Sequence, residues 1–159
     1  MNEKVCCFTG HRELPDDQTD YIKKRLETEI LVLAKQGVTC FLSGGALGFD
    51  LLAAQTVISL RRGHPKLRLI LVLPCPQQAE YWNASDRQVY EDIKAQADWV
   101  HYVSQRYFKG CMHKRNRYLA DHSGYCICYL TRLNSGTGYT VALCRTRNIP
   151  VVNLADSTK

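Results

Sequence analysis

Val38-Thr39-Cys40-Phe41-Leu42-Ser43-Gly44-Gly45-Ala46-Leu47-Gly48-Phe49-Asp50-Leu51 decides the fold. Val38 to Leu42 is a mostly apolar run that predicts a short buried strand. A glycine-rich turn, Ser43 to Asp50, follows directly. Leu47, Leu51, Ala54 and Ile58 then recur at helical spacing until Gly63 stops the helix. A strand that runs through glycines into a helix aims backbone N–H groups and a helix N-terminus at one spot. Such a spot holds anions, phosphate above all. The chain repeats the device at Asn134-Ser135-Gly136-Thr137-Gly138-Tyr139-Thr140, between the strand-like Tyr125 to Leu130 and a helix reaching about Asn148. Two such turns imply a phosphate-bearing ligand reached from two sides.

Outward from these turns the same alternation continues. Val5 to Phe8 reads as a buried strand running into Thr9-Gly10-His11-Arg12. Pro15-Asp16-Asp17 signals a helix start, Ile22, Leu26, Ile30 and Leu33 form its apolar face, and Gly37 ends it. Leu67 to Leu73, closed by Pro74, is apolar almost throughout, as a central parallel strand requires. Ser85 with Gln88 resembles a capping box, and Val89, Ile93 and Ala97 continue that helix. Trp99 to Val103 is a strand, Cys111 to His122 a helix, and Pro150 to Leu154 the last strand. Alternation of this kind predicts a three-layer α/β domain with a mainly parallel sheet of about six strands. Ligands of such sheets bind at the carboxyl ends of the strands, and the loops 9–12, 43–50, 74–82 and 134–140 all follow strands.

The chain has 159 residues, 45% hydrophobic and 23% charged, with a formal net charge of +6. One domain, 1–159, with a full core is the expectation. The positive balance suits an anionic ligand or simply a soluble surface; its densest cluster runs from Arg106 to Arg117. Of the eight cysteines, Cys6, Cys7, Cys40, Cys126 and Cys128 lie in apolar runs, where a free thiol behaves as a small hydrophobe. No C-x-x-C pair exists, so a zinc ribbon is not expected, and neither a metal nor a cofactor is. Met1 to Gly10 holds only a short apolar run and no leader pattern, which makes the cytoplasm the expected compartment. No stretch approaches the roughly 20 apolar residues of a membrane span.

The first glycine turn departs from the dinucleotide fingerprint, which reads G-x-G-x-x-G and follows the first strand. Here G-G-x-x-G follows the second, which argues against a nicotinamide dehydrogenase. Asp50 is placed either to bond a ribose hydroxyl or to favour its own helix N-terminus by charge. Arg12 suits a phosphate or an ion pair, and His11 leaves the first strand at the same edge. Arg115 and Asn116, near the start of a helix, reach a ligand or belong to a basic solvated face. Trp82, beside Tyr81 in a long loop, either stacks on a base or covers the core edge.

Taken together, Thr9-Gly10-His11-Arg12, Ser43 to Asp50 and Ser135-Gly136-Thr137-Gly138 resemble the SLOG superfamily, and most of all its YpsA-like branch of small bacterial proteins. The resemblance spans roughly 5 to 154. It implies a Rossmann-like domain that binds nucleotides or nucleotide-derived ligands. Relatives implied by it include the DprA-type DNA-processing proteins and the LOG phosphoribohydrolases. LOG enzymes carry an M-H-x-R-K helix, matched here by Met112-His113-Lys114-Arg115-Asn116 with Asn116 for the Lys, and a P-G-G-x-G-T-x-x-E turn. The second turn of this chain supplies no such glutamate, and no acidic residue follows it before Asp156. Glycosidic cleavage needs a carboxylate; Glu80, Asp86 and Asp50 are the substitutes.

The sequence therefore predicts a sensor or regulatory protein that binds a nucleotide-derived small molecule, with no catalytic residue assigned. The expected ligand-binding residues are Thr9, Gly10, His11, Arg12, Ser43, Gly44, Gly45, Ala46, Gly48, Asp50, Trp82, Arg115, Asn116, Ser135, Gly136, Thr137, Gly138 and Thr140. A nucleotide N-glycosidic hydrolase of LOG type and DprA-like binding of single-stranded DNA are the alternatives. The LOG resemblance also implies a homo-oligomer, a dimer or larger, with Tyr107, Phe108 and Tyr118 as candidate contacts.

Overall fold

Alternate residues of the central strand face opposite ways, and the protein uses both faces. The computed structural model describes residues 3–156; Met1 and Asn2, part of the segment read for a leader, lie outside the described residues. The strands are β1 (Val5–Gly10), β2 (Cys40–Ser43), β3 (Arg68–Leu73), β4 (Trp99–Tyr102), β5 (Tyr125–Tyr129) and β6 (Val151–Asn153). Between them lie α1 (Thr19–Lys35), α2 (Phe49–Arg61), α3 (Ala84–Gln96), α4 (Cys111–Asp121) and α5 (Gly136–Thr146). Cys6 and Phe8 of β1 point into a core shared with Ile22, Leu26 and Ile30 of α1, Val57 of α2 and Ile93 of α3. Cys7 points the other way, toward Leu119 of α4 and Val141 and Cys144 of α5. Two helical layers thus sandwich one sheet, as the alternation predicts.

The sheet is parallel throughout, in the order β4-β3-β2-β1-β5-β6. The chain moves outward from β1 through β2, β3 and β4, then crosses over to place β5 on the other side of β1. Order therefore reverses between β1 and β5, and the loops leaving these two strands diverge and open a crevice. β1 runs two residues beyond the expected Phe8, because Thr9 and Gly10 pair in register with Cys128 and Tyr129.

Two local details differ from the sequence reading. Asp16–Gln18 forms a short 3-10 turn and α1 begins only at Thr19. The cap of α3 is Asn83 instead of Ser85: its side chain accepts the Asp86 N–H at 2.8 Å and donates to the Asp86 carboxylate at 3.1 Å. Asn caps as well as Ser does, and the extended backbone falls at Asn83 (φ −65°, ψ 164°).

Glycine is required where chains approach closely. Gly48 has φ +81°, and a Cβ there would strike the Arg12 carbonyl; Gly48 thereby ties the first glycine turn to the β1 exit. At Gly138 a Cβ would strike the Leu133 carbonyl. Gly63, by contrast, has open space around it. Gly138→Ala is expected to lower stability by about 1–3 kcal/mol through overpacking, whereas Gly63→Ala stays within about 0.5 kcal/mol. Urea unfolding of the two variants beside the parent measures both; equal midpoints would refute the packing described for the second turn.

Candidate functional site

The crevice is a cavity of about 520 Å³ at the carboxyl edge of the sheet. Its floor is the end of β1, Thr9 and Gly10, and its walls are the loops after β1, β2, β3 and β5 together with the first turns of α2, α4 and α5.

The first glycine turn is closed by its own side chains. Ser43 Oγ donates to the Asp50 carbonyl at 2.9 Å and accepts the Gly45 N–H at 3.3 Å. Asp50 Oδ2 accepts the Ala46 N–H at 3.4 Å, while Oδ1 is buried with no hydrogen-bond partner among the described residues. Across Gly44 stands Arg115, only 5% exposed. A Cβ on Gly44 would lie 2.5 Å from Arg115 Nη1 and 2.9 Å from Asp50 Oδ2, so the missing side chain leaves room for the two charges to face each other. The guanidinium donates to the Gly44 carbonyl, to Asn116 Oδ1 at 2.8 Å and to Met112 Sδ at 3.8 Å. Burial pushes the Asp50 carboxyl up to about 6 in spite of the opposing pull of Arg115 and of the Ala46 N–H. Burial also lowers the Arg115 pKa, against the attraction of Asp50.

His11 has a structural task. Its Nε2 accepts the N–H groups of Thr131 at 2.9 Å and Arg132 at 3.2 Å, which fastens the β1 exit to the β5 exit. Two donors on Nε2 place the ring proton on Nδ1. Burial, and then the charge of Arg132, lower its pKa, so the neutral ring is favoured. Nε2 is therefore not available to take a proton from a ligand. Arg12 and Arg132 are exposed, line the cavity, and form no ion pair with a described residue.

The second turn presents backbone donors. Ser135 caps α5: its Oγ accepts the Gly138 N–H at 3.0 Å and donates to the Arg132 carbonyl at 2.6 Å. The N–H groups of Gly136 and Thr137 belong to the first helical turn, whose donors have no intrahelical acceptor, and both residues line the cavity. Trp82 does two things at once. It lines the cavity and packs edge-on against Tyr90, ring centroids 5.1 Å apart, at the rim of the main core.

Of the residues expected from sequence, the structure brings Thr9, Gly10, His11, Arg12, Ala46, Asp50, Trp82, Arg115, Asn116, Ser135, Gly136 and Thr137 to one cavity. Ser43, Gly44, Gly45, Gly48, Gly138 and Thr140 stand behind that lining and shape the turns. Thr140, for example, is buried and donates to the Gly136 carbonyl at 3.1 Å. Sequence reasoning missed Glu13, Gln78, Met112 and Arg132, which also line the cavity. Arg132 carried a readable signal: it follows β5 much as Arg12 follows β1. Of the three carboxylates considered for glycosidic chemistry, Glu80 is exposed and Asp86 is engaged at the α3 cap, both outside the lining; Asp50 is inside it.

A family model, the YspA SLOG family, matches residues 6–145. The chain is 39% identical over 105 residues to a UPF0398 protein of Halalkalibacterium halodurans, an alignment covering 65% of this chain and 56% of that protein. With the UPF0398 protein YpsA of Bacillus subtilis it shares 26% identity over 129 residues, 76% of this chain and 72% of the relative. The chain thus spans little more than half the length of the Halalkalibacterium relative. Two solved structures share the fold. DNA processing protein A from Helicobacter pylori, in work on its single-stranded DNA binding mode, superposes with a TM-score of 0.65 at 23% identity, covering 94% of this chain and 64% of that one. The corresponding protein of Streptococcus pneumoniae gives 0.66 at 17% identity, over 92% and 48%.

Asp50 binds its proton more tightly folded than unfolded, with a pKa near 6 instead of 3.8. Keeping it ionised therefore costs stability above about pH 6, and the cost fades as pH falls and is gone below about pH 4. Asp50→Asn is expected to be more stable than the parent at pH 7.5 by an amount on the order of 1–3 kcal/mol, the gap closing toward pH 4. Urea midpoints across this range measure it, and a gap that does not change with pH would refute the assignment.

Proposed function

We propose that this chain, which belongs to the YspA SLOG family, binds a nucleotide or nucleotide-derived small molecule in the cavity at the ends of β1 and β5. The observation that carries this is a convergence on one space: the N-terminus of α5 at Gly136 and Thr137, with Arg12 and Arg132 on the rim. Backbone donors at a helix start and guanidiniums without carboxylate partners are what a phosphate requires. A cavity of about 520 Å³ also falls in the range of roughly 300–1,000 Å³ common for small-ligand sites. In this reading the phosphate sits over α5, Asp50 Oδ1 takes a sugar hydroxyl, and Trp82 supplies an apolar wall for the base. Ser43, Gly44, Gly45, Gly48, Gly138 and Thr140 hold the two turns in shape behind it. We assign the protein a sensor or regulatory role in the cytoplasm, with eight unbridged cysteines as support for a reducing compartment. A dimer or larger assembly is part of the proposal, through exposed Tyr107 and Phe108.

One observation favours a second reading. Asp50 is a buried carboxyl with a pKa near 6 inside the cavity, suited to acid or base work near neutrality. It stands as the substitute for the glutamate that LOG relatives carry in the second turn. A nucleotide glycosidase would use it against the N-glycosidic bond.

Calorimetric titration with AMP, GMP, CMP and UMP, with chromatography of each mixture for free base, tests both readings. Saturable binding of at least one nucleotide is expected, without base release. Gly136→Val fills space where a Cβ meets nothing closer than Asn116 Nδ2 at 3.7 Å; it is expected to abolish binding with the unfolding midpoint retained. Arg12→Ala and Arg132→Ala should each weaken binding about 10-fold or more, the scale of one charged hydrogen bond. Binding unchanged in all three variants would refute the proposed site. Turnover of about 1 per second or faster, lost in Asp50→Asn, would replace the sensor reading with the hydrolase one. Tighter binding of a single-stranded oligonucleotide than of any mononucleotide would point instead to nucleic acid.

A further inference from the structure

Behind the cavity, on the α4/α5 side of the sheet, three thiols meet. Cys7 of β1 and Cys126 of β5 are register partners on adjacent parallel strands, so their side chains leave the sheet side by side on one face. Cys144 of α5 packs down onto them. The three sulfurs lie within 4.8 Å of one another, and all three residues are buried. Among the described residues this is the one group of three or more His, Cys, Asp or Glu side chains with that convergence. Packing alone does not need it, since any small apolar residue fills such positions.

Two further observations point to a ligand. Ser123, at the entry to β5, is 2% exposed and its hydroxyl lies against the Cys7 thiol, which places a buried oxygen beside the three sulfurs. Arg147, one turn beyond Cys144, has Nη1 buried without a hydrogen-bond partner among the described residues, while Nη2 holds Asp121 at 2.8 Å. The Arg147 charge acts on Cys144. A soft donor set and a buried hydroxyl thus meet at one point, with a part-exposed guanidinium, shared with Asp121, close by.

We propose that Cys7, Cys126 and Cys144 bind a zinc ion as thiolates, with Ser123 Oγ beside them as the fourth donor. Thiolates select thiophilic ions such as zinc. Tetrahedral zinc with Zn–S bonds of about 2.3 Å brings its sulfurs to about 3.8 Å apart, so closure asks for shifts of about 1 Å or less. Three thiolates around a divalent ion leave one net negative charge, near which the Arg147 guanidinium, shared with Asp121, adds positive potential; a monovalent ion would leave two. Binding releases the three thiol protons to solvent, and no redox step is involved. The sequence reading assigned no metal because no C-x-x-C pair exists. The site is assembled across strands and helix, where spacing along the chain is uninformative. The ion would pin α5, whose first turn faces the cavity, to β1 and β5.

The test uses the full chain, reduced and freed of metal under argon, with cobalt(II) added to the native protein and, separately, during refolding. One equivalent of cobalt is expected to bind with the visible bands of a tetrahedral cobalt–thiolate centre, and zinc should displace it. Cys144→Ser is expected to weaken uptake by more than the roughly 100-fold that loss of even an outer partner can cost, while Cys40→Ser, outside the cluster, binds as the parent does. Should Cys144→Ser fail to fold, the parent alone decides. Stoichiometric zinc is expected to raise its thermal midpoint and to protect Cys7, Cys126 and Cys144, but not Cys40, from slow alkylation. No saturable cobalt uptake by either route, uptake equally impaired in Cys40→Ser, or a zinc-independent midpoint would overturn the proposal.

Discussion

Pairing of β1 with β2 on one side and β5 on the other is the constraint on which the rest depends. Because both pairings are parallel, each strand needs a crossover helix, and every strand ends at the same edge. Because the neighbours of β1 come from opposite ends of the sequence, the loops that leave β1 and β5 part from each other. There the sheet edge opens into a cavity that the first turns of α2, α4 and α5 face. His11 braces the gap by accepting two N–H groups from the β5 exit, and the close pass of Gly48 along Arg12 braces it from the β2 side.

Within that opening the protein tolerates electrostatic cost. A buried carboxyl without a partner for Oδ1, facing a buried guanidinium across a residue with no side chain, is not an arrangement that stability alone selects. Asp50 and Arg115 are held in place by the turn and by α4, and the space between them is kept by Gly44. Arg115 spends its donors on the Gly44 carbonyl, Asn116 and Met112, so it positions the turn and adds positive potential. In the proposed site, Arg12 and Arg132 remain for direct contact. The cavity is thus divided between a buried inner pair of opposite charges and exposed outer cations.

Much of this was legible in the sequence because it is local. Apolar runs followed by glycines gave the strand–turn–helix order, and the face Ile22, Leu26, Ile30 and Leu33 of α1 is buried as its spacing implies. What was not legible depends on contacts between distant segments. Spacing cannot say that Gly138 serves the Leu133 carbonyl while Gly136 lines the cavity, since both read as glycines of one turn. Nor can it show that His11 is committed to the β5 exit, or that Cys7 and Cys144 converge. The α3 cap was misplaced by two residues because Asn83 and Ser85 are both good caps, and backbone extension alone decides between them.

The central claim is that phosphate binds at the start of α5. Nitrogen–proton correlation spectra of the labelled chain, recorded during titration with AMP, examine that point residue by residue. The largest shifts are predicted at the amides of Gly136 and Thr137, with smaller ones at Gly10 and Arg132. Absent shifts at Gly136 and Thr137, with the largest changes elsewhere, such as the groove between α2 and α3 at Gln55 and Gln96, would contradict it.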